Sequence, residues 1–457
     1  MIFRRYLALA VIVQLALALR LGFILTRTDS VAALSELPDQ TEYLQIGRNL
    51  STGDGLQFTD PRFGQEVWAY RTPGYPLLVA VCGGRLALIR LTQALLDTST
   101  IIAVYLLARN WLGEGTSLLA AALAAVNPLS IYFSGMILSE SLFTAMLIWG
   151  MVLMTRRAWF AGTILLAMSV LVRPSALALP AILSMFARGK SPTESPFSRR
   201  TRWHRRGAAL LSQCIRIGAA AILTALVLLP WAWRNHQLLG EWIWTSTNSG
   251  VTQYDGFHPG ATGASDQDFL RDMPELAAMT EVQRSNYLGE KAREFIQSHP
   301  LECLKLAVLK IARLWSPMPL SAQYSRPVYV AVELAYALPL FIFAIVGLMR
   351  NGWRSHIGDE WHSTPTLTLP LSTRGGDNEV DSMPHALGLP RNGWRSGARR
   401  FLLAPALYFT LIHAASVASL RYRAPLEPLL AIPAAFAIAP RRGMDSESFG
   451  AKMPADV

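Results

Sequence analysis

Charged residues make up only 16% of the chain, against about a quarter in an ordinary soluble protein. A chain so poor in charge cannot wrap a large core in a polar surface, and with 52% hydrophobic residues over 457 positions its main solvent is not water. Cysteine is almost missing: Cys82, Cys214 and Cys303 stand alone in or beside apolar stretches, so there is neither a disulfide framework nor a metal-ligand spacing. GxxxxGK, HExxH and paired CxxC are absent, and Gly53-Asp54-Gly55 lacks the strand and helix that a dinucleotide fingerprint needs. ATP hydrolysis is therefore not the expected energy source. A reaction run by this chain on the outer face of a membrane needs a substrate that arrives already activated, and a lipid-linked phosphate is the obvious vehicle.

What the chain does have is long apolar runs. They fall at 6–25, 91–108, 116–155, 158–186, 207–233, 326–349, 401–419 and 424–440, and a helix needs about 20 residues to cross a hydrocarbon core. The runs at 116–155 and 158–186 are too long for one pass and hold two helical pieces each. The fold class is therefore an all-α polytopic membrane protein with about nine to eleven transmembrane helices.

The net charge of +11 is a topology signal and not a nucleic-acid footprint. Positions 188–206 carry seven Lys or Arg and one acid, whereas 234–300 carry five basic and nine acidic residues and 27–75 carry four Arg against seven acids. Basic loops stay in the cytoplasm, so the two acid-rich stretches lie outside. Arg4-Arg5 precedes an apolar run to Leu25 with no small-residue cleavage site, which reads as an uncleaved first span.

The organisation follows: a first span at 1–26, a first extracytoplasmic loop at 27–75, and a transmembrane core at 76–233 containing the basic cytoplasmic loop 187–206. After it come a second, small extracytoplasmic domain with an interfacial helix at 234–325, C-terminal spans at 326–440 and a cytoplasmic tail at 441–457. Lys305, Lys310 and Arg313 beside Leu and Trp315 suit a helix lying in the interface. Arg173-Pro174 breaks the 158–186 run into two short helices, a break tolerated only where it is buried or lines a cavity. The parity of 76–157 stays open. Arg350-Asn351-Gly352-Trp353-Arg354-Ser355 recurs letter for letter at 391–396, and 356–390 between the copies is Pro-, Thr- and Gly-rich without helical period. This stretch reads as a disordered insertion, with the flanking repeat suggesting a translated mobile element.

The first outer loop carries the most chemistry. Leu37-Pro38-Asp39-Gln40-Thr41-Glu42-Tyr43-Leu44-Gln45-Ile46-Gly47 forms a short amphipathic helix with Asp39 at its start. Asp39 followed by Glu42 reads on spacing as a capping-box-like helix start, and Arg71-Thr72-Pro73-Gly74-Tyr75-Pro76 as a rigid turn into the next helix.

Taken in order, these motifs resemble a known family. Asp39-x-x-x-Tyr43, Gly53-x-Gly55 and Arg71-x-Pro73-Gly74-Tyr75-Pro76 are followed by Asn127-Pro128, Ser139-Glu140, Val172-Arg173-Pro174, Pro230-Trp231, and Arg421-Tyr422-Arg423-Ala424-Pro425. The series is similar to the protein-mannosyltransferase-like (glycosyltransferase family 39, dolichyl-phosphate-mannose-protein mannosyltransferase-like) group of GT-C enzymes. It covers nearly the whole chain outside 356–390 and the last dozen residues. The resemblance implies a GT-C-type fold with amphipathic helices in the first outer loop, and an inverting transfer of a sugar from a polyprenyl-phosphate donor at the extracytoplasmic face of the cytoplasmic membrane.

On that resemblance Asp39 is the general base, since direct displacement needs one carboxylate to take the acceptor's proton. Arg71, Arg421, Arg423 and Arg173 are the candidates for the donor phosphate, because a guanidinium offers phosphate a planar fork. Each has a plainer reading: turn stabilisation for Arg71, snorkelling to headgroups for Arg421 and Arg423, and a buried partner such as Glu140 for Arg173, whose unpaired charge in an apolar run would cost roughly 2.5 to 3.5 kcal/mol. Glu140, Tyr43 and Tyr422 are assigned to substrate positioning, Glu140 having the alternative of a helix-dipole acid. Arg20 and Arg85 read as structural or interfacial. No cofactor is called for, and a divalent metal, associated with some members of the family, is left open although no ligand cluster appears. The partners are the polyprenyl-phosphate sugar, the bilayer and a glycan, lipid or protein acceptor, with no nucleic acid. Two other classes compete: a transporter or flippase of a lipid-linked intermediate, which would also want buried Arg and broken helices, and a non-catalytic assembly protein.

Overall fold

The computed structural model describes residues 2–156, 158–186, 202–320, 326–350 and 391–439. The predicted insertion 356–390, most of the basic loop 187–206 and the tail 441–457 lie outside the described residues.

Four described helices are long and apolar enough to cross a membrane: Tyr6–Leu25, Leu86–Ala108, Leu210–Leu239 and Pro327–Met349. A bent pair, Glu114–Ala125 and Pro128–Ser134 meeting at 52°, is apolar and long enough only when its halves are taken together, as a broken span or a re-entrant loop. Asn127 makes that corner. Its side chain caps the second half by accepting from Ser130 N, and Pro128 starts the new helix, where a missing N–H costs nothing. Glu140–Thr155, Trp159–Val170, Pro174–Ser184 and Glu427–Ile438 are apolar but shorter. Against the nine to eleven spans expected from apolar length, four or five helices pass as full-length spans among the described residues, four apolar helices are shorter, and the 401–419 run lies mostly in the 24-residue helix Arg391–Ala414.

The 158–186 run breaks where Arg173-Pro174 predicts. Trp159–Val170 ends, a single 3-10 turn covers Pro174–Ala176, and Leu179–Ser184 resumes. That break receives the chain from the first loop. Gly74 N donates to Leu171 O at 2.7 Å, and a Cβ on Gly74 would sit 2.7 Å from the same oxygen. Glycine is required there by close backbone approach, and the contact fixes the Arg71 turn against the Arg173 break.

The two acid-rich stretches fold together as one lobe. The first contributes the helix Pro38–Thr52 and an antiparallel hairpin, Phe58–Asp60 with Gln65–Val67. The second contributes Asn248–Gly256 and Glu281–Ser298. Ile46, Phe58, Val67 and Tyr70 pack with Val251, Leu270, Leu276 and Leu288 into a core of their own. The Glu281 carboxylate locks the seam, accepting from Trp68 N at 2.8 Å, from Ala69 N and from Thr247 Oγ1 at 2.8 Å. The helix Pro300–Leu314 then turns Cys303, Leu306, Lys310 and Leu314 inward and leaves Leu301, Leu304 and Val308 exposed, the one-sided pattern of an interfacial helix.

Candidate active site

Pro38 occupies the first position of its helix, and the residue before it, Leu37, supplies no side-chain cap. The capping box read from Asp39 and Glu42 does not form: both carboxylates are taken by arginines. Arg71 Nη2 lies 2.6 Å from Asp39 Oδ1, and Arg71 Nε and Nη2 reach Glu42 Oε2 at 2.8 and 2.5 Å. From the other side, Arg421 Nη1 lies 2.6 Å from Asp39 Oδ2, and its Nε lies 2.6 Å from Glu140 Oε1. Arg173 closes the row with Nη2 at 2.7 Å from Glu140 Oε1 and Nε at 3.0 Å from Ser139 Oγ.

The result is an alternating ladder, Glu42, Arg71, Asp39, Arg421, Glu140, Arg173, drawn from four separate parts of the chain. Three carboxylates face three guanidiniums. Such groups are costly to bury singly and tolerable when paired and hydrogen-bonded. Aromatic rings hold the cations from below: Arg71 lies 5.4 Å from the Tyr43 ring centre and 5.3 Å from Tyr70, and Arg173 lies 5.6 Å from Phe143 and 5.8 Å from Tyr422. Tyr422 itself stacks on His413 with ring centres 3.9 Å apart. Tyr43 meets Tyr75 edge to face at 4.8 Å.

The members differ in access. The Asp39 side chain keeps 24% of its surface exposed, Arg71 16% and Arg421 18%, against 2% for Glu140. A ligand reaching the ladder from outside therefore meets Asp39 and its two arginines first. Burial pushes the Asp39 carboxyl up, but the Arg71 and Arg421 guanidiniums together outweigh it and hold Asp39 well below the usual carboxylate range. Glu42, more deeply buried and beside the Asp39 charge, is raised even though it shares Arg71.

Of the residues singled out in the sequence, Asp39, Arg71, Arg173, Glu140, Arg421, Tyr43 and Tyr422 come together. Arg423 does not. It is fully buried and turned away, with Nη2 at 2.5 Å from Glu333 and Nε at 2.7 Å from Glu427, and it also donates to Ser316 O. Two residues beyond Arg421 on a one-turn helix, Leu420–Arg423, it must point to a different side, and two carboxylates already neutralise it. Arg20 has a structural place, its Nε 2.5 Å from Asp97 and its Nη1 bound to Ala16 O and Ala125 O. Glu42 was legible only as a capping acid. Glu333 and Asp97, each a lone acid inside an apolar run, carried the signal that would have found partners for Arg423 and Arg20. Among the described residues no three His, Cys, Asp or Glu side chains converge as a metal site.

No family model matches the chain, and no curated protein matches it in sequence. Solved structures do match in fold. Archaeal oligosaccharyltransferase AglB from Archaeoglobus fulgidus, in complex with an inhibitory peptide and a dolichol-phosphate, aligns with a TM-score of 0.51 at 13% identity, covering 95% of this chain and 50% of that one. The Archaeoglobus fulgidus oligosaccharyltransferase tethered with an acceptor peptide aligns with a TM-score of 0.50 at 14% identity, covering 95% and 49%. This chain spans about half the length of those proteins. The likeness shows the fold alone, a predominantly helical architecture shared with those structures over 95% of this chain.

Proposed function

We propose that this chain is an inverting glycosyltransferase that moves a hexose or pentose from a polyprenyl-phosphate donor to an acceptor at the outer face of the cytoplasmic membrane, with Asp39 as general base. One observation carries the reading: Asp39, the most accessible acid of a buried charge ladder, lies within 2.6 Å of two arginines that are themselves partly open. A base beside paired cations is what displacement of a sugar from a phosphate calls for. The fold supports the same class, and the similar archaeal structure holds a dolichol-phosphate.

The reaction balances without a second nucleophile. The acceptor hydroxyl gives its proton to Asp39 as its oxygen attacks the anomeric carbon, and the bond from that carbon to the phosphate oxygen breaks with inversion. The leaving polyprenyl phosphate keeps the electron pair. Its growing charge is met by Arg71 and Arg421, preorganised donors of the kind that contribute most where charge develops. Asp39 then returns the proton to water. Glu140 and Arg173 hold Arg421 in place from the buried side, and Tyr43 and Tyr422 support the guanidiniums.

The test is transfer of labelled sugar from a polyprenyl-phosphate sugar by membranes carrying the wild-type chain or Asp39→Asn. Loss of at least about a hundredfold is expected, the scale of a missing general base. Undiminished transfer by Asp39→Asn would remove Asp39 from that role, and absence of transfer by the wild type from any polyprenyl-phosphate hexose or pentose would overturn the reading itself.

A further inference from the structure

We propose that the donor's phosphate switches on the base: on binding it takes Arg71 and Arg421 away from Asp39, so that donor binding must precede proton abstraction from the acceptor, with Glu42 and Glu140 as the positioning residues that keep the two arginines in place during the exchange. This rests on the reading of the ladder as a lipid-phosphate glycosyltransferase centre.

The geometry points to it in three ways. Both Asp39 oxygens are occupied, Oδ1 by Arg71 and Oδ2 by Arg421, each at 2.6 Å. A carboxylate held by two guanidiniums is a poor proton acceptor, and a catalytic base works best when its basicity is near that of its task. The groups facing Asp39 are Arg71, Glu42 and Tyr43 from the first loop, and Arg421 and Tyr422 from the late motif, with Glu140 and Arg173 behind Arg421. Among these the two touching guanidiniums dominate, and they keep Asp39 deprotonated and weakly basic. The clamped arrangement is therefore a resting one.

Each clamping arginine also has a second hold that does not involve Asp39. Arg71 gives Nε and Nη2 to Glu42 Oε2, and Arg421 gives Nε to Glu140 Oε1. A guanidinium has five N–H donors in a rigid fork. It can release Asp39 and turn the freed N–H toward phosphate without leaving its seat.

Charge gives the direction of the exchange. Three cations already balance three carboxylates, so an arriving phosphate anion has no spare positive charge to meet. It must share Arg71 and Arg421, and the partner most easily displaced is the most exposed one, Asp39 at 24% against 9% for Glu42 and 2% for Glu140. Released, Asp39 regains ordinary carboxylate basicity next to the anomeric carbon.

The experiment needs no acceptor. Binding of labelled polyprenyl phosphate to the purified full chain in lipid nanodiscs is compared with binding of polyprenol, which lacks the phosphate. Asp39→Asn is expected to bind polyprenyl phosphate about tenfold more tightly than wild type, because the arginines no longer have to be won from a carboxylate. Glu42→Gln and Glu140→Gln bind it more weakly, and polyprenol binding stays unchanged in all three. From pH 5 to pH 3, where the phosphate remains a monoanion, wild-type affinity rises as Asp39 takes up a proton on release, and the Asp39→Asn variant shows no such rise. Equal or weaker binding by Asp39→Asn overturns the exchange while leaving the proposed function standing. Wild-type binding that does not prefer polyprenyl phosphate over polyprenol overturns both.

Discussion

Arg421 Nη1 lies 2.6 Å from Asp39 Oδ2, although 382 positions separate the two residues. The same guanidinium spans to Glu140, and a planar fork holds two carboxylates in a fixed geometry that a point-charge ammonium does not impose. Arg421→Lys preserves the charge but offers a single point of attachment. We expect it to fold, with its melting temperature close to wild type, and to lose about 10- to 100-fold in kcat/KM for the polyprenyl-phosphate sugar, the scale of one hydrogen bond to a charged group. Donor titrations at fixed acceptor check this. Wild-type donor efficiency in Arg421→Lys would mean that charge alone suffices.

Arg423 makes the opposite prediction from the same tripeptide. Its guanidinium is fully buried between Glu333 and Glu427, and Glu427 also accepts from Asn127 Nδ2 at 2.9 Å. Truncation leaves two carboxylates without a cation inside the helical layer. Breaking a buried pair this way costs about 3 to 5 kcal/mol, so Arg423→Met is expected to melt much earlier in thermal unfolding. Replacing all three together, with Glu333→Leu and Glu427→Leu, should recover most of the loss. Donor KM in whatever folds should be unchanged. A selective rise in donor KM with normal stability would put Arg423 back at the phosphate.

The contrast shows what the sequence could and could not convey. Asp39, Arg71, Glu140 and Arg421 were legible through the resemblance of their motifs to a known family, since spacing alone read them as cap, turn, dipole and headgroup charges, whereas Arg173 stood out by itself because an isolated charge in apolar text demands a partner. Who pairs with whom was not legible, since every rung of the ladder, from Glu42–Arg71 to Glu140–Arg173, joins residues far apart in the sequence. Arg421 and Arg423 look equivalent in one dimension and face different sides on a one-turn helix. Span counting has the same limit: apolar length does not distinguish a helix that crosses from the bent pair at Asn127-Pro128 or the short pieces around Arg173-Pro174. The common outer lobe was hidden because its two halves lie on either side of the helical core in sequence.

Gly74 tests whether the first loop is positioned by its contact with the Arg173 break. A methyl group there would meet Leu171 O at 2.7 Å and Val172 Cγ2 at 2.8 Å, and backbone cannot move aside as a side chain can. Gly74→Ala is expected to destabilise the protein by about 1 to 3 kcal/mol, the cost of overpacking a close contact. It should also lower transfer, by shifting Arg71 relative to Asp39. Leu77→Ala, on an exposed position of the same helix, serves as the control. Equal stability and equal transfer for the two variants would show that the Gly74 contact does not set the site.

The outer lobe should soften in the neutral range, because it buries an acid and a base that both resist charge. Asp255 accepts from Ser265 Oγ at 2.6 Å and Asp266 N at 2.8 Å, yet burial raises its carboxyl to about 6. Lys310 is fully buried, donates to Gly256 O at 2.8 Å and lies 3.5 Å from the Phe257 ring centre. Burial lowers its ammonium to about 8. An acid with a raised folded value contributes stability that is complete below its unfolded value and is lost as pH rises through about 6. A base with a lowered folded value contributes stability that is present above its unfolded value and is lost as pH falls through about 8. The two windows leave a minimum between them. For Asp255 the limit is about 3 kcal/mol, from roughly two pKa units. Amide hydrogen exchange across 255–266, corrected for its intrinsic pH dependence, should therefore slow as the pH is lowered from 7 to 5. Asp255→Asn should flatten that response. Protection that instead grows from pH 5 to pH 7 would mean that Asp255 is held as a carboxylate, with Lys310 its true counter-ion.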